Sequence, residues 1–341
     1  MSIFADGRVY VIAEAGVNHN GRMDLAVQLI DVAAAAGADA VKFQTFKLAS
    51  VVSPETPMAD YQKVNTGQSG SMQDMLKDLE LSYDQFEALA AHARKTGITF
   101  LSTAFDVEST DFLARLGVPL FKLPSGELTN PALVRAVGRY NKPTIVSTGM
   151  ADLGDIEQAL GWLAEEKCQD VALLHCISDY PANPADANLA AMDTMCAAFG
   201  LPVGWSDHTL GDTVTIAAVA RGARIVEKHF TLDVNLPGPD HRASLDPAAL
   251  KRMVENIRIT ESAIGNGRKT PSAREREVAK VARRSIAAAR PIEAGCEIVA
   301  EDIAFLRPGT GIAPADVNLV LGRKLKRPLD RGALIVLTDL G

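Results

Sequence analysis

The chain has 341 residues, which is enough for one large α/β domain and a smaller second one. Apolar residues make up 47% and charged residues 23%, and the net charge of −7 gives no general reason to expect nucleic-acid binding. No run approaches the ~18 apolar residues of a membrane span, and charges interrupt the N-terminus where a signal peptide needs an apolar core, so we expect a cytoplasmic protein.

Eight short apolar runs alternate with helical patterns over the first 265 residues. The runs cover residues 9–16, 39–46, 98–105, 119–126, 143–150, 171–178, 202–209 and 224–231. Helical periodicity marks residues 25–36, 83–96, 107–116, 131–140, 153–166, 189–199 and 247–264. This rhythm predicts an α/β fold, a (β/α)8 TIM barrel. A doubly wound open sheet is the alternative, but EAGVNHNG after the first strand does not match G-x-G-x-x-G.

The rhythm breaks at residues 47–82, where Pro54, Pro57 and several glycines interrupt the pattern. Loops of this length are usually functional or mobile, and we expect a lid over the site. Tyr61 is the most conspicuous aromatic residue of this segment.

The composition changes after Gly265. Residues 266–283 are polar and charged, which suits a linker with one helix. Residues 284–341 contain short β runs, glycine turns and short helical pieces, typical of a compact domain that gains from docking on something larger. We therefore expect a catalytic barrel at 1–265, a linker at 266–283 and a small domain at 284–341.

Polar side chains stand at the carboxyl ends of almost all predicted strands, and in a barrel these ends converge on the face that carries active sites. They include the lysines Lys42 and Lys122, and the first strand contains a carboxylate, Glu14, which needs a partner or a function if buried. Hydroxyl groups accompany them at Thr103, Ser125, Ser147 and Ser206. Such a set is what a phosphate or a phosphorylated carboxylate requires. Taken singly, each residue also has a structural explanation, since interior lysines form ion pairs and serines satisfy local backbone groups.

The last two predicted strands each end in a histidine, His208 and His229. If the strands are neighbours, the two imidazoles lie side by side, with Asp207, Glu227 and Asp240 close by. Such a group suits a divalent transition metal, which can polarise a carbonyl oxygen. The alternative is a pair of ordinary buried histidines.

Glu127 and Asp240 suit the binding of sugar hydroxyls or proton transfer. Together with the lysines and histidines they predict a metal-dependent reaction that joins or splits a phosphorylated anion and an oxygen-rich partner. The residues alone do not identify the substrates.

Nine motifs along the chain together resemble one family. They are IAEAGVNHNG (12–21), VKFQTF (41–46), FLSTAFD (100–106), FKLPSGELTN (121–130), KPTIVSTGMA (142–151), LLHC followed by DYP (173–181), GWSDHTLG (204–211), EKHFTLD (227–233) and PGPDH (237–241). The chain resembles the N-acetylneuraminate (sialic acid) synthase family, legionaminic acid synthases included. RPGTGI (307–312) is similar to part of the antifreeze-protein-like, SAF-type domain that the family carries.

The resemblance implies condensation of phosphoenolpyruvate with an open-chain N-acyl-mannosamine-type sugar, giving a nine-carbon 2-keto acid and phosphate. It also implies a divalent metal, Mn²⁺ or Mg²⁺, and a domain-swapped homodimer. The motifs IAEAGVNHNG and FKLPSGELTN favour the neuraminic and legionaminic acid synthases of the family over the pseudaminic acid synthases. The acceptor would then be N-acetylmannosamine or a 6-deoxy-2,4-diacetamido sugar.

The resemblance also implies roles for individual residues. His208 and His229 match the metal ligands, Glu14 a catalytic carboxylate, and Arg307 an arginine that reaches the sugar from the partner subunit. Positions that match phosphoenolpyruvate contacts are Lys42, Thr103, Lys122, Ser125, Ser147 and Ser206, and positions that match sugar contacts are Gln44, Glu127, Tyr180 and Asp240.

Two positions depart from the family pattern: Pro124 stands where a small residue is common, and Ser178 where an asparagine often contacts phosphate. Two other function classes stay open at this point. One is a metal-dependent sugar isomerase or aldolase on the same barrel, although neither needs two phosphate-facing lysines. The other is a non-catalytic glycan-binding protein.

Overall fold

The structure is a computed structural model that describes residues 7–53, 55–66 and 70–341. Residues 1–265 and 266–341 form two compact units. None of the helices in the described parts of the chain has the length and apolar character needed to cross a membrane.

Eight parallel strands of the first unit close into a barrel, in which each strand pairs with its neighbours in sequence and the first pairs with the last. The strands are β1 (Tyr10–Gly16), β2 (Ala40–Thr45), β3 (Thr99–Ala104), β4 (Phe121–Leu123), β5 (Thr144–Ser147), β6 (Val171–Cys176), β7 (Val203–Asp207) and β8 (Ile225–His229). The predicted TIM barrel is confirmed. The strands are shorter than the apolar runs because buried loop residues extend the apolar pattern past the hydrogen-bonded ladder.

Helices pack outside the barrel. In chain order they are α1 (Met23–Ala35), α2 (Leu48–Val51), α3 (Asp60–Thr66), α4 (Met72–Lys77), α5 (Tyr83–Thr96), α6 (Val107–Leu116), α7 (Pro131–Gly138), α8 (Leu153–Glu165), α9 (Ala191–Phe199), α10 (Thr213–Ala220) and α11 (Pro247–Ile264). Their ends follow local chemistry: Ser82 caps α5 in a capping box with Gln85, and Gly97 ends the helix in the left-handed conformation.

Helix α10 was not predicted. Its sequence, TVTIAAVA, has apolar residues on every side and no charged face, so it lacks the 3.6-residue periodicity that indicates a helix. Tertiary packing supplies what the pattern lacks, because α10 lies between β7 and α11.

The segment predicted as a long loop contains the short helices α2, α3 and α4. Its residues Met58, Met75 and Leu79 pack in a small apolar cluster with Val17, which follows β1, and Phe46, which follows β2. The side chain of Tyr61 lies outside the described residues, so the lid stays a prediction.

Inward-facing side chains divide the barrel lumen into two layers. The lower layer, towards the amino ends of the strands, is apolar and consists of Ile12, Ala40, Leu101, Leu120, Ile145, Ala172, Leu174 and Ile225. Because side chains alternate along a strand, the next inward residues stand two positions later, as Glu14 does after Ile12 and Lys42 after Ala40. The apolar layer thus forms the floor beneath a polar layer.

The second unit contains α12 (Ala273–Ala282), followed by an antiparallel pair of strands, β9 (Ser285–Ala288) and β10 (Ile303–Leu306). Residues such as Ile286, Ile298 and Ile335 form its own apolar core. The helix lies within the segment expected to be a linker with one helix.

Candidate active site

A cavity of about 470 Å³ opens at the carboxyl ends of the barrel strands. Most of the predicted site residues line it, and they come from all eight strands or the loops that follow them. They are Glu14, Lys42, Gln44, Thr103, Lys122, Ser125, Ser147, Tyr180, Ser206, His208 and His229. The barrel therefore brings these side chains to one site.

Lys42 is the centre of the buried charges. Its Nζ lies 2.7 Å from Glu14 Oε2 and 3.6 Å from Glu227 Oε2, and it donates a hydrogen bond of 2.7 Å to Thr103 Oγ1. Burial lowers the pKa of Lys42, but the two carboxylates more than offset this and hold its pKa above the ordinary value. Lys42 therefore stays positively charged.

The carboxylate of Glu227 forms ion pairs with both lysines, Lys42 and Lys122. One of its oxygens lies 3.4 Å from Lys122 Nζ and accepts a hydrogen bond of 3.0 Å from Ser206 Oγ. Burial raises its pKa, but Lys122 and Lys42 together outweigh this and lower it to about 2. For Glu14, burial dominates and raises the pKa to about 7. Glu227 is thus a permanent anion, whereas Glu14 can exchange a proton near neutral pH.

Hydroxyl and amide donors lie around the lysines. Ser147 Oγ is buried without a hydrogen-bond partner, and Ser125 Oγ accepts a hydrogen bond of 2.9 Å from Gly149 N. Gly149 is needed here because a Cβ at this position would collide with Ser178 Oγ and lie 2.9 Å from Ser125 Oγ. These groups can bind an anionic ligand held between Lys42 and Lys122.

The rings of His208 and His229 lie 5.5 Å apart between centroids, and the ring of Tyr180 lies 4.1 Å from that of His208 at an interplanar angle of 36°. Nδ1 of His208 lies 2.6 Å from the carbonyl oxygen of Ile177. A donated bond there leaves Nε2 as the free lone pair. Nδ1 of His229 is buried without a hydrogen-bond partner and lies 3.9 Å from Asp240 Oδ2.

These observations fit a pair of metal ligands. Burial lowers the pKa of His208 to about 4 and that of His229 well below its usual value, so both rings are neutral and have lone pairs for a cation. Within residues 7–53, 55–66 and 70–341, no three His, Cys, Asp or Glu side chains gather into a metal-binding group. A cation held by the two imidazoles would complete its coordination with water or ligand oxygens.

Three predicted site residues lie elsewhere than on the wall of this cavity. Glu127 is half-buried in a 3₁₀ turn after β4 and accepts a hydrogen bond of 2.7 Å from Asn130 Nδ2. Asp240 is buried close to His229, and its burial raises its pKa to about 6. Arg307 is exposed and follows β10 in the second unit.

The expected grouping of Asp207 with the histidines was wrong. Asp207 is the neighbour of His208 in sequence, so its side chain points to the other face of β7, where it bonds Thr209 and Thr215. Glu227 was expected nearby but was not assigned to the site. Its position two residues before His229 on the same strand indicates that it faces the lumen, since residues two apart on a strand share a face.

The cavity has further lining residues that the sequence did not single out. Cys176 Sγ lies 3.2 Å from Ser125 Oγ, and the apolar side chains of Phe105, Met72 and Met150 also line the cavity. Nothing in their own patterns distinguishes them from core residues.

A closed (β/α)8 barrel whose carboxyl-terminal face holds this charged pocket defines the chain as a TIM-barrel enzyme. More particularly, the chain belongs to the NeuB family, whose model matches residues 29–269, and a SAF domain model matches residues 283–341. The predicted family, the SAF-type domain and the synthase type of the enzyme are thereby confirmed.

Two relatives are 45% identical to the chain, and both are N,N'-diacetyllegionaminic acid synthases. The match to the protein of Legionella pneumophila covers 96% of this chain and 93% of the relative, and the match to that of Campylobacter jejuni covers 93% and 95%. Among solved structures, the N-acetylneuraminic acid (sialic acid) synthetase of Leptospira borgpetersenii, in complex with citrate, is 34% identical. That comparison has a TM-score of 0.70 and covers 80% of this chain and 90% of the other.

Proposed function

We propose that the enzyme condenses phosphoenolpyruvate with an open-chain N-acyl-mannosamine-type sugar to a nine-carbon 2-keto acid and phosphate. The observation that carries this proposal is the presence of two buried lysines, a carboxylate with a pKa of about 7 and two neutral histidines in one cavity. The resemblance to legionaminic and sialic acid synthases over nearly the whole chain supports the same reaction.

Phosphoenolpyruvate is the anionic substrate in this proposal. Lys42 and Lys122 hold its phosphate and carboxylate charges, and Thr103, Ser125 and Ser147 donate hydrogen bonds. Ser206 donates to Glu227 and joins them only when its hydroxyl turns towards the substrate. The unpartnered hydroxyl of Ser147 supports this assignment, because a buried donor without a partner costs stability unless a ligand satisfies it. Ser178 lines the same wall and has a hydroxyl that can donate to the phosphate.

His208 and His229 are the proposed ligands of Mn²⁺ or Mg²⁺. When bound, the cation would polarise the carbonyl oxygen of the sugar aldehyde. The ring of Tyr180 contacts that of His208 and limits its orientations, and Asp240 lies beside His229. The neutral state of both rings supports the assignment, since protonated imidazole cannot bind a metal.

The bonds change as follows. C3 of phosphoenolpyruvate attacks the aldehyde carbon of the sugar, which forms the new C–C bond, turns the aldehyde oxygen into an alkoxide and leaves an oxocarbenium ion at C2. Water adds to C2 and gives a proton to Glu14, whose pKa of about 7 suits proton transfer at neutral pH, and this proton returns to the alkoxide to form the sugar hydroxyl. The tetrahedral intermediate then expels phosphate by cleavage of the C2–O bond, the C2 hydroxyl gives its proton to the departing phosphate, and the 2-keto acid remains.

The acceptor is proposed to carry N-acyl groups of the legionaminic type, that is, a 6-deoxy-2,4-diacetamido sugar. The apolar side chains of Phe105, Met72 and Met150 in the lining of the cavity support a substrate that is less polar than N-acetylmannosamine. Gln44, Glu127 and Asp240 supply polar contacts in this proposal. Arg307 is proposed to reach the sugar of a partner subunit in a domain-swapped homodimer.

A phosphate-release assay tests the proposal. The purified full-length enzyme with Mn²⁺ should release phosphate only when phosphoenolpyruvate and the sugar are both present, and the diacetamido sugar should give the higher kcat/KM. Mass spectrometry should detect the nine-carbon acid. Phosphate release from phosphoenolpyruvate alone, or none with either sugar, contradicts the proposed reaction. Higher kcat/KM with N-acetylmannosamine contradicts only the choice of sugar.

A further inference from the structure

An ion pair lies directly behind the two histidines, on the outer face of the barrel. Lys228 Nζ is 3.1 Å from Asp207 Oδ2, and both side chains are 0% exposed. Neither residue lines the cavity. The pair therefore contacts neither substrate nor any other group in the pocket, and the reaction proposed above gives it no chemical step.

The hydrogen bonds of this pair converge on Thr209. Asp207 Oδ1 accepts from the backbone N and from Oγ1 of Thr209, both at 2.8 Å, and Lys228 Nζ donates to the Thr209 carbonyl oxygen. Asp207 Oδ2 also accepts a hydrogen bond of 2.6 Å from Thr215 Oγ1 on α10. The residue between Asp207 and Thr209 is His208, so the turn that carries this imidazole is held from both sides.

The same pair fixes the neighbouring strand. Asp207 of β7 is the register partner of Lys228 of β8, and the next residues along these strands are His208 and His229. An ion pair across this register links the two strand ends at the point where the imidazoles project into the lumen. A one-residue slip of either strand would move its own histidine to the wrong face of the barrel.

Stability alone is a poor explanation for a charged pair at this place. Removing two charges from water is costly, and well-packed apolar residues of similar volume often stabilise a protein as much or more. Apolar side chains, however, lack the directional bonds that hold Thr209 and the strand register. In metal sites, groups that orient the ligands contribute strongly to metal affinity.

We propose that Asp207 and Lys228 are positioning residues that hold His208 and His229 at the separation that one divalent cation requires. This inference rests on the metal site of the proposed function. It predicts that the pair controls the affinity for the metal through geometry, without contact to the metal or to substrate.

The test measures Mn²⁺ binding to the full-length, chelator-stripped protein by titration with electron paramagnetic resonance, which detects free Mn²⁺. The main variant combines Asp207→Asn with Lys228→Met, so that no unpaired charge is left buried. A second variant, Thr215→Val, removes one hydrogen bond and keeps the pair. The control combines Asp39→Asn with Arg258→Met and so removes another ion pair, in which the two side chains are 2.9 Å apart. Asp39 directly precedes β2, so this pair lies at the opposite end of the barrel from the histidines.

The double variant at 207 and 228 should raise the Mn²⁺ Kd about 10- to 100-fold, the range for loss of groups that orient metal ligands. Thr215→Val should raise it less, and saturating Mn²⁺ should restore kcat in both. The Asp39–Arg258 control should lower Tm without changing Kd. If the main variant does not fold, the Mn²⁺ Kd of Thr215→Val is the test, and an unchanged Kd in that variant counts against the proposal.

A Kd within twofold of wild type in the folded 207/228 variant overturns the positioning role and leaves the proposed reaction intact. If the 207/228 variant binds Mn²⁺ more weakly while the wild-type enzyme releases no phosphate, the positioning role is supported and the proposed reaction is contradicted. A wild-type protein that binds no Mn²⁺ overturns both this inference and the metal dependence.

Discussion

Lys42 Nζ lies 2.7 Å from Glu14 Oε2, and both side chains are only 2% exposed. The pair joins a lysine that stays charged to a carboxyl whose pKa is raised to about 7 by burial. A phosphate that binds Lys42 competes with Glu14 for the same ammonium group. Substrate binding therefore frees the carboxylate next to the position where the proposed water reacts.

Glu14→Gln should separate binding from chemistry. Glutamine has nearly the same shape and can still bond Lys42, but it cannot accept a proton, so kcat should fall about 100-fold or more. The KM for phosphoenolpyruvate should change much less. Steady-state phosphate release measures both constants, and Glu87→Gln on the exposed face of α5 serves as the control. Equal kcat values for Glu14→Gln and wild type would remove Glu14 from the mechanism.

Removal of the metal should abolish activity and lower stability. A ligand that binds only the folded state at 100 times its Kd stabilises it by about 2.7 kcal/mol, so Mn²⁺ should raise Tm relative to a chelator. His208→Ala and His229→Ala should lose both this rise in Tm and turnover. Differential scanning fluorimetry and the phosphate assay measure the two effects. Full activity of chelator-treated His208→Ala protein would falsify the metal hypothesis.

The sequence predicts the barrel because eight apolar runs alternate with helical patterns, and it predicts most of the lumen because residues two apart on a strand share a face. The same alternation distinguishes Glu227, which shares a face with His229, from Asp207, which does not share a face with His208. Helix α10 could not be predicted from hydrophobic periodicity, since it has apolar residues on every side. The hydrogen bond from Asn130 to Glu127 depends on the 3₁₀ turn after β4, which no residue pattern specifies.

Gly149→Ala should damage the proposed phosphate subsite. The new methyl group would displace Ser178 Oγ and Ser125 Oγ, so the KM for phosphoenolpyruvate should rise at least tenfold, and overpacking should lower stability by about 1–3 kcal/mol. Gly161→Ala is the matched control. Gly161 lies inside α8, and no neighbouring atom comes within 4 Å of the place where an alanine Cβ would lie, so alanine there should stabilise the protein by about 0.5–1 kcal/mol. Steady-state kinetics gives the KM of both variants, and urea unfolding gives their free energies of unfolding. An unchanged KM in Gly149→Ala argues against the phosphate subsite.

His19→Asn should reduce the loss of stability in mild acid. His19 is fully buried, its Nδ1 accepts a hydrogen bond of 3.0 Å from Gly21 N, and burial lowers its pKa to about 4. The unfolded chain binds a proton at this residue below about pH 6.5, whereas the folded protein does so only near pH 4. Its contribution to stability is therefore complete above pH 6.5 and is lost as the pH falls from about 6.5 to 4.

At pH 5 this one residue should account for about 2 kcal/mol of the stability lost relative to pH 7. Asparagine does not titrate, and its Oδ1 can replace Nδ1 as the acceptor for Gly21 N. The difference in unfolding free energy between pH 7 and pH 5 should therefore be smaller in His19→Asn than in wild type by that amount. Urea unfolding at the two pH values measures it, with His92→Asn on the partly exposed end of α5 as the control. Equal pH dependence in His19→Asn and wild type would show that His19 is protonated in the folded protein or that other groups dominate its acid response.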